Sequence, residues 1–184
     1  MNIFFVYLSA KRAARSLCDK HVIKLSLETA QLLSTAMHIM SNIEESGSKP
    51  KQALDCEGSV SDSEFNENIK FIYKMTHKNH PCAIWVRHSQ ENFKWTIEHG
   101  LELCYEYTRR YNKIHKSQAV IEYIQKHFDI NLIKIKQFTM PAICMPEQYK
   151  ISQDPTICYR EYYLKNKSRF AKWKNTNPPD WWKI

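Results

Sequence analysis

Two long stretches of the chain space their apolar residues as the buried face of an α-helix does. At about 100° per residue, the first stretch, from Lys11 to Met40, places one set on a single side: Cys18, Val22, Leu25, Thr29, Leu32, Leu33 and Ala36. The second, from Asn79 to Lys113, has a packing face of Trp85, Val86, Ser89, Phe93, Ile97, Gly100, Cys104, Tyr107 and Tyr111. Helices with one apolar face must pack against one another, and Gly100 would let a neighbouring helix approach closely.

Helix start signals and one predicted break divide these stretches further. The first helix is predicted to break near Asp19. His80 or Asn79 can cap the second helix, and Pro81 suits its first turn because a backbone N–H there would be unpaired anyway. A last helix is predicted over residues 154–174, and it starts with the same kind of signal, an aspartate followed by a proline.

The remaining segments complete a mainly α fold. Residues 2–9, NIFFVYLS, are aromatic and β-branched, which predicts a short N-terminal β-strand, and residues 132–136 are a candidate second strand. Residues 117–128 have the spacing of another helix, and prolines keep the segment before the last helix extended. We therefore predict one domain over residues 1–184. It would be a helical bundle with a short N-terminal β-strand and an extended, proline-containing segment before the last helix.

Charge is distributed unevenly along the chain, whose formal net charge is +8. Residues 41–67 hold seven acids against two lysines, a net charge of −5, so the rest of the chain carries +13. This segment also contains two of the three glycines and many serines, which predicts an acidic, mobile surface loop. The basic remainder favours a polyanionic partner, of which nucleic acid or a nucleotide is the commonest kind.

The cysteine pattern and the hydropathy indicate a compartment. Six cysteines are scattered without a C-x-x-C pair, which is typical of free thiols in a reducing environment. The start of the chain lacks the features of a signal peptide, and no apolar run reaches the roughly 18 residues of a membrane span. We expect a cytoplasmic protein with no membrane partner, whose oligomeric state the sequence does not define.

A continuous stripe of polar side chains borders the apolar face of the first helix. It comprises His21, Lys24, Glu28, Gln31 and Thr35. The second helix has a similar edge, with Trp95 beside it, made of His88, Asn92, His99, Glu106 and Arg110. If the two apolar faces pack together, both stripes can line one cleft, which is the central hypothesis. The alternative is plain ion pairing along each helix, because Lys24–Glu28 and Glu106–Arg110 are spaced i, i+4.

Such a cleft would suit chemistry on a glycosidic bond, which needs a carboxylate to stabilise positive charge or to activate water. Glu28 is the first candidate carboxylate and Asp19 the second. Lys24 or Lys20 could act as a nucleophile or a phosphate contact, and His21 could move protons. The candidate substrate-binding residues are Lys20, Gln31, His80, Trp85, Asn92, His99 and Arg110.

Aromatic and basic residues are interleaved along the predicted last helix. Aromatic side chains among basic ones suit stacking on bases with phosphate contacts beside them. The candidate nucleic-acid contacts are Arg160, Lys167, Arg169 and Lys174. The alternative is that the aromatic residues belong to the core and that the lysines only cover their outer side.

Two groups of residues carry the ligand types that zinc prefers. One is His77, His80 and Cys82, and the other is Cys18 with His21. Neither spacing is that of a known zinc finger or metalloprotease, and capping of a helix already explains a histidine at position 80. We therefore predict no metal and no cofactor.

Five segments of the chain resemble a family of small uncharacterised proteins of tailed phages and large DNA viruses. They are MNIFF, CDKHVIKLSLETAQLLSTA, THKNHPCAIWVR, MPEQYK and YREYYLKNKSRFAKW. The resemblance covers most of the chain apart from the acidic loop. It implies a viral or phage accessory protein that acts on DNA, nucleotides or a host defence within the infected cell.

Three kinds of function fit these observations. The favoured one is an enzyme that acts on nucleic acid or nucleotides by glycosylase-like base excision or by base modification. The second is a non-catalytic binder of nucleic acid or of a nucleotide signal, which would use the same cleft for affinity only. The third is a protein-interaction module that blocks a host defence factor through the acidic loop.

Overall fold

The computed structural model describes residues 1–42 and 71–183. These residues form six α-helices, which are α1 (Ala10–Ser16), α2 (Asp19–Met40), α3 (Pro81–His88), α4 (Gln90–Tyr111), α5 (Ser117–His127) and α6 (Pro155–Tyr162). The predicted mainly helical fold is therefore confirmed. Most of the predicted acidic loop, residues 43–67, lies outside the described residues.

The two longest helices, α2 and α4, form the centre of the fold. Each has 22 residues, and the apolar face predicted for each one is buried except at Tyr107 and Tyr111, which are half-buried. Gly100 packs tightly against both neighbouring helices, because a Cβ atom there would lie 2.8 Å from both Thr29 Cγ2 and Ile121 Cδ1. The predicted role of Gly100 is thus confirmed: it lets α2 and α5 approach α4 at the same point.

Short extended breaks divide both of the long predicted helices. Leu17 and Cys18 are extended and separate α1 from α2, close to the predicted break at Asp19. Ser89, with φ −141° and ψ 158°, separates α3 from α4, and its Oγ accepts a hydrogen bond from the backbone nitrogen of Asn92 at 3.2 Å. The prediction of one continuous helix through Ser89 is wrong. A serine side chain can replace a helical hydrogen bond, which apolar spacing does not reveal.

Residues 2–9 do not form the predicted N-terminal strand, and the described residues contain no β-strand. Phe4 has a φ of 51°, and the backbone nitrogen of Val6 bonds to the carbonyl of Phe4 at 2.8 Å, so the chain turns instead of extending. Residues 3–6 are all buried against the helices. A continuous apolar run has the same composition in a buried strand and in a buried irregular segment, which explains the error.

The segment predicted to be extended, residues 130–150, contains no α-helix, but it has 3₁₀ turns at Ile130–Leu132 and Glu147–Tyr149. The candidate strand at residues 132–136 is absent. This part of the chain instead follows the start of α4, where the carbonyl of Ile135 accepts a hydrogen bond from the backbone nitrogen of Gln90 at 2.8 Å. The segment thereby caps α4 and links it to the C-terminal region.

Both predicted helix caps are present. His80 Nδ1 accepts a hydrogen bond from the backbone nitrogen of Cys82 at 3.1 Å, and Asp154 Oδ1 accepts one from Thr156 at 2.8 Å. The last helix is shorter than predicted, however. It ends at Tyr162 and continues as a π-helical turn over Tyr163–Lys167 and a 3₁₀ turn over Ser168–Phe170. Single π turns are rare and occur frequently at functional sites.

No helix among the described residues combines the length and the apolar character that crossing a bilayer requires.

Candidate active site

Glu28 lies on α2 where its carboxylate meets the first residues of the chain. Its Oε1 is 3.3 Å from Lys24 Nζ, one turn earlier on the helix, and its Oε2 accepts a hydrogen bond from the backbone nitrogen of Asn2 at 3.2 Å. The side chain of Glu28 is 13% exposed and that of Lys24 is 68% exposed. The carboxylate is therefore shielded from bulk water yet reachable from the surface, with an amine beside one oxygen.

Asn2 anchors the first residues of the chain against α2. Its Nδ2 donates to the carbonyl oxygen of Cys144 at 2.6 Å, and its Oδ1 accepts from the backbone nitrogen of Phe4 at 3.2 Å. The left-handed φ of Phe4 is rare for a bulky residue and persists only where the surroundings enforce it. These contacts hold the backbone nitrogen of Asn2 against Glu28.

A group of aromatic rings, called here the aromatic cluster, encloses the imidazole of His21. Its members are Phe4, His21, Tyr163 and Phe170. The ring centre of His21 is 4.5 Å from that of Phe4, 5.1 Å from that of Tyr163 and 5.6 Å from that of Phe170. Phe4 connects the cluster to Asn2, because its backbone nitrogen bonds to Asn2 Oδ1, and Lys24 lies about one helical turn from both His21 and Glu28.

His21 is a neutral side chain in this environment. Burial, followed by the charges of Lys167 and Lys24, lowers the pKa of His21 to about 3. Its Nδ1 is 2.7 Å from Tyr163 Oη, which also accepts a hydrogen bond from the backbone nitrogen of Cys18 at 2.9 Å. Burial raises the pKa of Tyr163, so its hydroxyl keeps its proton and can donate it to Nδ1. We therefore assign the proton of His21 to Nε2.

Four cationic side chains surround the aromatic cluster. They are Lys20, Lys24, Lys167 and Arg169. Lys20 Nζ and Arg169 Cζ lie 5.0 and 5.6 Å from the ring centre of Phe170, and Lys167 Nζ lies 4.4 Å from that of Tyr162. Lys20, Lys24 and Arg169 are exposed. Of the cluster rings, Phe4, His21 and Tyr163 are buried and Phe170 is half-buried, so Phe170 is the ring that is accessible among these charges.

The other predicted basic contacts lie elsewhere. Arg160 donates through Nε to the carbonyl of Val6 at 2.9 Å and lies 4.5 Å from the ring centre of Tyr7. Lys174 Nζ lies 5.3 Å from the ring centre of Tyr111. Of the four predicted nucleic-acid contacts, the structure therefore brings Lys167 and Arg169 to the aromatic cluster and places Arg160 and Lys174 away from it.

Gln31 and His80 are the remaining predicted residues that lie near Glu28. Gln31 is half-buried, three residues after Glu28 on α2. His80 is half-buried at the start of α3, and burial lowers the pKa of His80, an effect that the charge of Glu28 opposes. Both side chains thus belong to the surroundings of the carboxylate.

The predicted cleft between the polar edges of α2 and α4 is absent, because the edge of α4 is buried. Asn92 donates through Nδ2 to the carbonyl of Trp85 at 2.9 Å and to Thr139 Oγ1 at 2.8 Å, and its Oδ1 accepts from the Thr139 nitrogen. The Nε1 of Trp85 donates to the Thr139 carbonyl at 2.9 Å. Asn92 and Trp85 were both predicted to bind substrate. They instead join α3 and α4 to the irregular segment before α6, which contains Thr139.

Arg110 is also inside the protein, in a network of charged groups. Its guanidinium donates to Glu106 Oε2 and Asp19 Oδ1, both at 3.0 Å, and to the backbone carbonyls of Leu17 and Arg15. The backbone nitrogen of Lys174 also donates to the Asp19 carboxylate and lies 3.0 Å from each of its two oxygens. Since Asp19 lies nine residues before Glu28, about 13 Å along the helix axis, the two carboxylates occupy separate sites.

His99 is a third buried residue on this edge. It has no exposed surface, and its ring stacks on Trp95 with 4.9 Å between the ring centres. Burial lowers the pKa of His99 to about 3, so the ring is neutral. The three side chains predicted to bind substrate from α4 are thus interior residues. For Asn92 and Arg110 the partners lie far away in the sequence, which apolar spacing alone does not predict.

A group of metal-ligand side chains lies beside the Glu28 site. The ligand atoms of His80, Cys82 and Cys144 all lie within 4.8 Å of one another. The thiol of Cys82 is within hydrogen-bonding distance of Cys144 Sγ, at 3.7 Å, and this contact lowers the pKa of Cys144 to about 7. His77, grouped with His80 and Cys82 in the sequence, bonds instead to Thr76.

Sequence reasoning missed Asn2 and Cys144 at this site. Neither residue lies in a helix, so no periodic pattern singles them out. The only available signal was the apolar run that follows Asn2, which predicts burial of the N-terminal segment but not its partner. The contact of Cys144 with Cys82 spans 62 positions in sequence and has no local signature.

Comparison with known proteins gives one match. Residues 1–119 match the family model described as pyrimidine dimer DNA glycosylase, a region that contains Glu28, Lys24 and His21. No curated protein and no solved structure matches the chain. Because the family match spans more than half of the 184 residues, the chain belongs to the pyrimidine dimer DNA glycosylase family.

Proposed function

We propose that this protein cleaves the N-glycosidic bond of a pyrimidine dimer in DNA, with Glu28 as the essential carboxylate. The family match supports a glycosylase-like action on DNA. The observation that carries the proposal is the partly shielded Glu28 carboxylate, held between Lys24 Nζ at 3.3 Å and the backbone nitrogen of Asn2 at 3.2 Å. A carboxylate and an amine in one place are what such chemistry requires.

Glu28 can act on the developing positive charge of the sugar. As the bond between C1′ and the pyrimidine nitrogen breaks, the base leaves with the bonding electrons and the deoxyribose becomes cationic. A carboxylate of low exposure stabilises that charge more than one in bulk water does, because fewer water molecules screen it. The same carboxylate can accept a proton from an attacking nucleophile.

Lys24 is the proposed nucleophile. After loss of a proton to Glu28, its Nζ can attack C1′, and the base leaves with the electrons of the glycosidic bond and takes up the proton from Glu28. The attached amine then loses a second proton, the bond between C1′ and the ring oxygen breaks, and the ring oxygen takes up a proton, which yields an imine between C1′ and Nζ. Lysine amines form such Schiff bases readily. The alternative is that Lys24 only pairs with Glu28 along the helix, an interaction worth a few tenths of a kcal/mol.

DNA would bind across the aromatic cluster and its four cations. Lys20, Lys167 and Arg169 can neutralise backbone phosphates, while Lys24 is reserved for the attack on C1′. Phe170, the half-buried ring of the cluster, offers a face for an unstacked base, since stacking of this kind is worth about 1–3 kcal/mol per base. A dimer distorts the duplex, which reduces the cost of moving a base out of the stack.

The test uses a duplex oligonucleotide with one cyclobutane pyrimidine dimer. The two bases stay joined to each other after one glycosidic bond breaks, so the product is measured as an alkali-labile abasic site and not as a free base. We expect cleavage by the wild-type protein and a loss of at least about 100-fold in Glu28→Gln, with unchanged duplex affinity. Glu91→Gln, an exposed acid paired with Lys94 on α4, is the matched control.

Retention of the damaged duplex without any product would favour the second candidate, a non-catalytic binder. Full activity in Glu28→Gln would remove Glu28 from the mechanism while leaving the substrate assignment intact. Equal cleavage of undamaged DNA would contradict the dimer as substrate.

We also propose a viral or phage context in which the protein repairs DNA in the cytoplasm of the infected cell. The support is the resemblance of its sequence segments to proteins of tailed phages and large DNA viruses. A virus that lacks the gene should be more sensitive to ultraviolet light than its parent, and equal sensitivity would contradict this role.

A further inference from the structure

We propose that His80, Cys82 and Cys144 bind one zinc ion, or a similar thiophilic divalent cation, which fastens the N-terminal segment beside Glu28. The three residues come from two distant parts of the chain, the start of α3 and the irregular segment before α6. This inference rests on the donor geometry alone and does not depend on the glycosylase proposal.

The spacing of the two sulfur atoms fits a shared metal ion. Cys82 Sγ and Cys144 Sγ are 3.7 Å apart. Two sulfurs bound to zinc at about 2.3 Å and at a tetrahedral angle are separated by about 3.8 Å. All three ligand atoms already lie within 4.8 Å of one another, so the imidazole needs to move by only about 1 Å to complete the ligand set.

The donors are chemically matched to such an ion. Two thiolates and one imidazole are preferred zinc ligands. When the ion binds, each thiol releases a proton, and the two thiolate charges cancel the charge of the divalent cation. The resulting complex is neutral, which suits a position where Cys82 is buried and Cys144 and His80 are half-buried.

His80 is already oriented towards this group. Its Nδ1 accepts a hydrogen bond from the backbone nitrogen of Cys82, so a nitrogen lone pair points to the start of α3. Coordination through Nδ1 would exchange this hydrogen bond for a metal bond. Three protein ligands leave a fourth position for water, as in other three-ligand zinc sites.

The proposed ion would act on the Glu28 site through the backbone. The carbonyl of Cys144 accepts a hydrogen bond from Asn2 Nδ2 at 2.6 Å, and Asn2 in turn bonds to Glu28. The backbone of Ile3 also acts on the thiol of Cys82, in the direction that lowers its pKa. The N-terminal segment is therefore bonded to the backbone of Cys144 and lies close to Cys82, and a metal between the two cysteines would hold that segment in place.

The test measures metal binding directly, without reference to activity. The full-length protein is purified with a reductant, stripped with a chelator and titrated with Co²⁺ and with Zn²⁺. We expect one equivalent of Co²⁺, with thiolate-to-cobalt charge-transfer absorption and the visible bands of tetrahedral Co²⁺, and displacement by Zn²⁺. Elemental analysis should give one zinc per chain.

Variants identify the ligands. Cys82→Ser and Cys144→Ser should each weaken binding by more than the roughly 10- to 100-fold that loss of an outer-shell partner costs. His80→Gln should keep the charge-transfer absorption and lose affinity. The control is Cys158→Ser, whose thiol bonds to the Ser152 carbonyl outside the group and which should bind like the wild type. Far-ultraviolet circular dichroism confirms that each variant is folded.

Two results would overturn the proposal. One is the absence of stoichiometric Co²⁺ binding in the reduced wild-type protein, and the other is equal binding in the Cys82, Cys144 and Cys158 variants. A mass decrease that corresponds to a disulfide between Cys82 and Cys144, in protein that binds no metal after reduction, would show a redox pair in place of a metal site. Since none of these measurements uses DNA, the metal proposal and the glycosylase proposal can fail separately.

Discussion

The hydroxyl of Tyr163 lies 2.7 Å from His21 Nδ1 and accepts a hydrogen bond from the backbone nitrogen of Cys18 at 2.9 Å. One phenol therefore ties the π turn after α6 to the first residues of α2. Because both partners are buried, no water can replace this hydroxyl without cost. The contact explains how a turn more than 140 residues away in sequence positions the aromatic cluster.

Tyr163→Phe should lower the free energy of unfolding by about 1–3 kcal/mol, because the nitrogens of His21 and Cys18 lose their partner. The measurement is equilibrium unfolding in urea. Tyr149→Phe is the control. Among the described residues its hydroxyl accepts one long hydrogen bond, from Asn166 at 3.4 Å, so the substitution should cost less than about 0.5 kcal/mol. Equal losses in the two variants would show that the Tyr163 hydroxyl has no special role.

The protein should lose stability as the pH falls below about 6.5. His21 and His99 are both neutral in the folded state, with pKa values lowered to about 3 from an ordinary value of 6.5. Unfolding lets them bind protons, so their contribution is complete above pH 6.5 and is lost as the pH falls towards 3. Between pH 6.5 and 3, each histidine should add about 1.4 kcal/mol per pH unit to the slope of the free energy of unfolding against pH.

His99→Phe tests this assignment, because it keeps a ring against Trp95 and removes the titrating group. The free energy of unfolding is measured in urea at several pH values between about 6.5 and 4.5. Its slope against pH should correspond to one proton fewer taken up on unfolding than in the wild type. A variant with the full wild-type slope would contradict the prediction.

Borohydride should trap a covalent complex between the protein and dimer-containing DNA, because it reduces an imine to a stable amine. We expect Lys24 in the crosslinked peptide and loss of trapping in Lys24→Gln. Lys94→Gln, which removes an exposed amine on α4, should trap normally. Attachment to the peptide that contains Asn2 would instead assign the nucleophile to the nitrogen bonded to Glu28 Oε2, in chains processed to begin there.

Removal of Arg169 should reduce the salt dependence of DNA binding. If its guanidinium contacts one phosphate, Arg169→Ala should lower the slope of log K against log salt by about 0.9. Lys126→Ala, an exposed lysine on α5, provides the comparison. Fluorescence anisotropy at several salt concentrations measures both, and an unchanged slope in Arg169→Ala would place DNA elsewhere on the protein.

Gly100→Ala should destabilise the protein by about 1–3 kcal/mol, because its methyl group would lie 2.8 Å from Thr29 Cγ2 and Ile121 Cδ1. Thr29→Ser and Ile121→Val each remove one of these atoms. The triple variant should lose less free energy of unfolding than the sum of the losses in the three single variants, as measured by urea unfolding. Additive losses would show that the methyl group is accommodated without contact.

The elements that could be predicted from sequence are those with local causes. Apolar spacing predicts α2, α4 and α5, and cap residues predict the starts of α3 and α6, because these signals act within a few residues. Gly100 is a further success, since a missing side chain on a packing face has one simple explanation. The break at Ser89 is missed because a side-chain hydrogen bond replaces a backbone one without disturbing the apolar pattern.

The candidate site was harder to predict, because long-range contacts assemble it. Glu28 stands out as a polar residue beside an apolar face, but its contact with Asn2 depends on an irregular segment with no periodic signal. Asn92 and Arg110 are, like Glu28, polar residues beside an apolar helix face. Asn92 is nevertheless bonded to Thr139, and Arg110 is bonded to the carbonyls of Arg15 and Leu17. Whether a polar edge is open or covered is decided by residues far away in the chain.

The close approach at Gly100 has a consequence for tracing distant relatives. Three helices meet at a point where the α-carbon of one residue carries no substituent, so a homologue that keeps the same interhelical distances and the same neighbouring side chains is expected to keep glycine there. That position can serve as a fixed reference for aligning divergent sequences. Apolar residues replace one another freely in such sequences and therefore do not define which positions should be aligned. Pairing it with the threonine on the opposite helix would place α2 against α4 before any other residue is matched.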